Sequence, residues 1–234
     1  MDDCSICAEI NMFESETNYF DKYLRNEIPY RNNRIIFESN NFLVLPTLGA
    51  FVKGYLLIIS KRHYQSGIKL STDLLVELNY VIEQIKSVIK DIYGKSTIMF
   101  EHGTISSEGR SACCVEHFHL HLVPSNINIA NTIKSYNFET LFVDEYIPLD
   151  IEFYGGMQSY IYYEYMDIKE IYLNDIFPSQ LIRQVCCRDI INSHKWDWRK
   201  YKYINNIIGT IQDMQFAKEN NIVNIGNGYN FKWY

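Results

Sequence analysis

The chain has 234 residues, 47% of them hydrophobic and 15% aromatic, with a formal charge of −6 and a pI near 5.5. That is enough apolar chain for one large domain, or for one domain with a substantial extension. The acidic balance argues against a general nucleic-acid surface, though a small nucleotide in a local pocket remains compatible with it. The start, Met1-Asp2-Asp3, is acidic, and no apolar run reaches about 18 residues, so neither a signal peptide nor a membrane span is expected. The six cysteines fall as Cys4/Cys7, Cys113/Cys114 and Cys186/Cys187. Adjacent cysteines rarely bond to each other, so reduced thiols in a cytoplasmic setting are expected.

Cys4-Ser5-Ile6-Cys7 has the spacing of half a zinc site and needs two ligands from elsewhere. Inert thiols and a redox pair are the other readings, the latter weakened because no βαβ pattern surrounds the pair. Residues 11–33 read as loop with a short helix around 19–24. Two apolar runs, 35–37 and 42–45, flank Glu38-Ser39-Asn40-Asn41 and predict a hairpin. Gly54 leads into a third strand at 55–60, closing on Lys61-Arg62-His63. Ser71 is placed to cap a long helix that ends near Tyr93, with Gly94 as its stop. Leu74, Leu75, Leu78, Val81, Ile82, Ile85, Val88, Ile89 and Ile92 recur in steps of three and four, one stripe that predicts a helix lying across a sheet. Residues 96–100 read as a strand and 101–111 as a polar loop.

The chain then returns as Glu116-His117-Phe118-His119-Leu120-His121-Leu122-Val123-Pro124. On a strand, side chains two apart share a face, so the three histidines point one way and Phe118, Leu120 and Leu122 the other. On a helix, neighbours two apart diverge by roughly 200°. Three imidazoles on one face can serve as nucleophile, acid, base or metal ligand near neutrality. Beyond Pro124, residues 126–150 read as mixed loop, 159–165 and 169–173 as two strands with a turn at Met166-Asp167, 177–193 as a helix and 202–220 as another. The Gly/Asn-rich stretch 221–234 reads as a tail. Arg183, Trp196 and Arg199 are candidates for closing over a substrate, or for core and solvated-face positions.

The run from His117 to Val123 resembles the signature of the histidine triad (HIT) family, whose pattern is His-apolar-His-apolar-His-apolar-apolar. The order of elements over residues 4–124 is similar as well, and Phe100-Glu101-His102-Gly103 is similar to a CwfJ-like branch. The resemblance implies an α+β fold with an antiparallel sheet of about five strands and a crossing helix. It divides the chain into a catalytic domain, 1–125, and an α/β extension, 126–234. Because HIT domains commonly pair their sheets, that extension is either an unrelated addition or a degenerate second half packed on the first. The protein is then a pseudo-dimeric monomer or a homodimer.

The implied activity is hydrolysis of a nucleotide phosphoanhydride or phosphoramidate. By motif position His119 is the nucleophile, His121 attends the phosphate or leaving group, and His117 supports both; no cofactor is needed for the chemical step. His63, Ser111, Glu101, Cys114 and Thr47 are the implied substrate contacts. Cys114 stands where Ser or Thr is usual, Thr47 where an acidic residue is, and Glu101 where Asn is. The family also implies a structural zinc on Cys4, Cys7, His63 and His117. The rival readings are a nucleotidyltransferase of the same family, a hydrolase with catalytic zinc on the triad, and a non-catalytic nucleotide- or RNA-end-binding module.

Overall fold

A computed structural model describes residues 4–13, 34–105, 117–146 and 157–234. The expected helix at 19–24 lies outside the described residues, as do Ser111 and Cys114. Helix α1 (Ser5–Phe13) opens the chain. Strands β1 (Phe37–Glu38) and β2 (Phe42–Pro46) form the expected hairpin, and β3 (Leu56–Ser60) pairs with β2. Helix α2 spans Thr72–Tyr93, with Ser71 at its N-cap and Gly94 in the left-handed conformation at its end. Six positions of the predicted stripe, from Leu78 to Ile89, are fully buried. Glu77 in its first turns accepts hydrogen bonds from Ser39 Oγ and from the main-chain and side-chain nitrogens of Asn41, each at 2.7 Å, and so ties the hairpin turn to the helix.

Strand β4 (Thr97–Thr104) and strand β5 (His119–Pro124) follow. β4 is longer than its sequence suggests: Glu101, His102, Gly103 and Thr104 were expected in a loop but continue the strand. They do so because β7 (Ser159–Tyr165) pairs with β4 over its length, from Ile98↔Tyr165 to Thr104↔Ser159. At Gly103 a Cβ would fall 2.3 Å from the Tyr160 ring, so only glycine lets that tyrosine lie across the strand.

The stretch expected as mixed loop holds a short helix α3 (Ala130–Lys134) and strand β6 (Glu139–Phe142). β8 (Ile168–Asn174), α4 (Leu181–Ile191) and α5 (Ile204–Glu219) agree with the sequence pattern. The tail supplies β9 (Lys232–Trp233), which pairs with β1. All pairings are antiparallel, and the described strands make one sheet in the order β6-β8-β7-β4-β5-β3-β2-β1-β9. The extension therefore lengthens the first part's sheet at both ends. No described helix is long and apolar enough to cross a membrane.

The two sheet faces differ. On one, α2 packs on Phe42, Val44, Leu56, Ile58, Leu120 and Leu122 in the main core. On the other, which carries the histidines, Ile6 of α1 packs with Ile35, Leu43, Leu45, Leu57 and Ile59 in a second cluster. Arg34 donates to both oxygens of Glu9 on α1 at 2.7 Å, fixing the helix against the sheet edge.

Candidate functional site

The three triad histidines share a face, yet their ring nitrogens serve different surroundings. His117 precedes β5. Its Nε2 lies 2.8 Å from the carbonyl of Ser60, which can only accept, so that nitrogen carries the proton. Nδ1 then presents a lone pair to Cys4 Sγ at 3.5 Å and Cys7 Sγ at 3.4 Å. His63 Nδ1 lies 3.3 Å from Cys7 Sγ. The donor atoms of Cys4, Cys7, His63 and His117 all fall within 4.8 Å of one another.

Two thiols and two imidazoles are a donor set suited to zinc. A tetrahedron with Zn–S of about 2.3 Å and Zn–N of about 2.05 Å has S···N edges of roughly 3.6 Å, close to the spacings found. The bond from His117 Nε2 to Ser60 is the kind of outer contact that orients a metal-binding imidazole. The residues present fit the metal. Burial lowers His117 to about 4, so its ring is neutral at pH 7.

His119 is arranged the other way round. Its Nδ1 lies 2.6 Å from the main-chain carbonyl of His117, an acceptor only, so Nδ1 holds the proton and Nε2 keeps its lone pair. Its pKa is lowered, first by burial and then by the nearby charge of Arg183, against the opposing pull of that carbonyl. The ring of His121 is 5.1 Å away, centroid to centroid. It stacks nearly parallel on Phe100, its cross-strand partner, at 4.3 Å and 6°, and its Nδ1 meets the Tyr55 hydroxyl at 2.8 Å. Burial and, after it, His119 and Arg183 hold His121 well below the usual histidine range. A fourth histidine, His102, shares this face two residues beyond Phe100; burial and His119 lower it to about 4.

Glu101 does not join the site. Strand alternation turns it to the α2 side, where it is 2% exposed. There it accepts from the Gly67 main-chain N–H at 2.7 Å and from the hydroxyls of Tyr146 and Tyr160 at 2.9 and 2.7 Å. Burial raises it to about 7 against these three donors. The expectation that Glu101 contacts substrate is corrected: the carboxylate anchors an internal network. Thr47 lies beside the site, its N–H on the carbonyl of Tyr55, with its hydroxyl donating to Leu48 O at 3.2 Å. His63, expected both as a substrate contact and as a metal ligand, faces the thiols.

Tyr55 and Arg183 are the residues the motif did not single out as part of the triad. Tyr55 precedes β3 on the histidine face, and a hydroxyl among Leu57 and Ile59 was the available signal. Arg183 comes from α4 and donates to Tyr55 Oη at 3.0 Å.

The chain thus shows an antiparallel sheet crossed by a helix, with His119 and His121 alternating on the central strand β5 and His117 just before it. Residues 29–127 match the family model described as the HIT domain, so a HIT domain spans that part of the chain. No curated protein matches the chain. Among solved structures it is similar to a hypothetical histidine triad nucleotide-binding protein from Sulfolobus tokodaii, at 18% identity over 51% of this chain and 68% of that one, TM-score 0.37. A HIT family protein from Bacillus anthracis shares 23% identity over 53% and 73%, TM-score 0.36. A zinc-bound histidine triad family protein from Mycobacterium smegmatis shares 18% over 55% and 78%, TM-score 0.36.

Proposed function

We propose that the chain is a nucleotide hydrolase that works through a nucleotidyl-histidine on His119. The observation that carries this reading is the bond from His119 Nδ1 to the carbonyl of His117. It fixes the tautomer whose Nε2 is nucleophilic, and a lowered pKa keeps the ring neutral at pH 7. His119 Nε2 forms a bond to the α-phosphorus as the bond to the leaving oxygen breaks. His121 presents its other ring nitrogen to the same space as a hydrogen-bond donor for the charge that develops there. Water then cleaves the P–N bond and releases the nucleotide. Ser111 and Cys114 remain proposed contacts for the phosphate, and Thr47 for the nucleoside.

A catalytic zinc on the triad is a poorer reading. It needs three converging imidazoles, and His117 turns its lone pair toward Cys4 and Cys7 instead. We place a structural zinc in that cluster, where it would clip α1 to the sheet. We also read residues 126–234 as standing where a second copy of the sheet would pair, since β7 pairs with β4 from Ile98 to Thr104.

The test is mass spectrometry of reactions with a mixed nucleotide panel, quenched without acid because a phosphoramidate bond is acid-labile. A nucleotidyl adduct on His119, absent from His119→Ala with turnover lower by several orders of magnitude, is expected. An adduct on another residue, or near-normal turnover in His119→Ala, overturns the mechanism.

A further inference from the structure

Arg183 belongs to α4, far along the chain from the triad, and is 4% exposed. Its guanidinium donates to the Gly49 carbonyl at 2.6 Å, to the Trp196 carbonyl at 3.3 and 3.4 Å, and to Tyr55 Oη at 3.0 Å. None of these acceptors is a carboxylate. The cation also lies 5.2 Å from the Tyr55 ring centre and 5.6 Å from that of Phe51. Burying a charge among neutral acceptors is costly, so its position beside the triad calls for an explanation.

Tyr55 is fully buried and has a single proton to give. Arginine only donates, so toward Arg183 the phenol oxygen accepts. Its proton then goes to His121 Nδ1, 2.8 Å away. His121 is thereby left with its proton on Nε2. To become a cation it would need a second proton on Nδ1, which would point at the Tyr55 O–H and add positive charge beside Arg183. Stacking on Phe100 holds the ring in this plane.

We infer that Arg183 and Tyr55 are positioning residues that lock His121 as a neutral, Nε2-protonated hydrogen-bond donor. The site they shape favours substrates whose leaving group departs as an oxyanion. The inference rests on the nucleotidyl-histidine reading for its catalytic consequence, though the tautomer itself does not. When His119 Nε2 bonds to phosphorus, the P–O bond breaks and its electron pair leaves on oxygen. A phosphate-type leaving oxygen needs no proton at pH 7, and His121 Nε2–H supports it while keeping its own. An amine leaving from a phosphoramidate must take up a proton. A neutral imidazole donor does not supply one without becoming an anion, so the lock works against that substrate.

Long-range ¹H–¹⁵N spectra of histidine-labelled protein read the tautomer directly. The native protein should show His121 neutral with its proton on Nε2. Tyr55→Phe keeps the ring and removes the hydroxyl, and Arg183→Met removes the charge. Each should shift His121 toward Nδ1–H or the cation. In both variants the ratio of kcat on diadenosine triphosphate to kcat on adenosine 5′-phosphoramidate should fall by about tenfold or more, within the span that proton-handling groups contribute. A native His121 with its proton on Nδ1 overturns the inference, and so does an unchanged tautomer in Tyr55→Phe, which needs no result from Arg183→Met should that variant fail to fold. The expected tautomer and its loss in the variants, without turnover of either substrate by the native protein, would refute the hydrolase reading and leave the lock standing.

Discussion

Replacing Glu101 with Gln should remove one pH-dependent contribution to the protein's stability. The carboxyl is raised from its usual 4.5 to about 7 by burial, which outweighs the bonds from Tyr160, the Gly67 N–H and Tyr146. Between those values the folded protein holds a proton that the unfolded chain has already released. Unfolding therefore releases that proton, and stability falls as pH rises through the window, by about 1.4 kcal/mol per unit. Over the interval the loss reaches roughly 3 kcal/mol, and above pH 7 it levels off. At 2% exposure the side chain has little solvent to screen it. Urea unfolding at pH 5 and pH 8 measures most of the effect, with the native protein losing about 2.5 kcal/mol more than Glu101→Gln across that range. Equal losses in the two proteins would show that Glu101 ionises normally in the fold and would refute the argument.

Cys4→Ser should lower bound zinc well below one equivalent by atomic emission and weaken α1 against proteolysis; full zinc retention would place the metal elsewhere. A chain ending at Asn131 loses β7 and leaves the unpaired edge of β4 in water, so it should aggregate or dimerise on a sizing column. A soluble, active monomer from that truncation would reject the pseudo-partner reading.

What the sequence disclosed is what local periodicity encodes. Alternation in His117–Val123 and the three-and-four stripe of α2 each depend on residues within a few turns of one another, and both were legible. So was the Cys4–Cys7 pair, since two thiols three residues apart invite two further ligands. The strand character of residues 101–104 was not, because it depends on β7, more than fifty residues later. Glu101 and His102 look like loop residues until Tyr146, Tyr160 and Phe177 are beside them. Gly103 reads as a breaker, although its role is to admit the Tyr160 ring. Arg183 reads in sequence as a cover for a substrate or as a solvated helix face, and at 4% exposure it is not the latter. Its bond to Tyr55 joins positions 128 apart, a separation over which no pattern in the chain speaks.

The sheet's edges bear on how the chain assembles. A homodimer made by extending the sheet needs a long strand with unpaired main-chain groups. The eight-residue β4 would offer one, but β7 pairs with it at seven positions. The outer strands of the described sheet are β6, with four residues, and β9, with two. Neither presents much ladder to another copy. The second part of the chain thus closes the edge that sheet pairing would use, and through Arg183 it also reaches the residues beside the triad. Covering the edge and orienting His121 come from the same segment. Of the two expected assemblies, we propose the monomer with an internal pseudo-partner, on the ground that β7 already occupies the edge of β4.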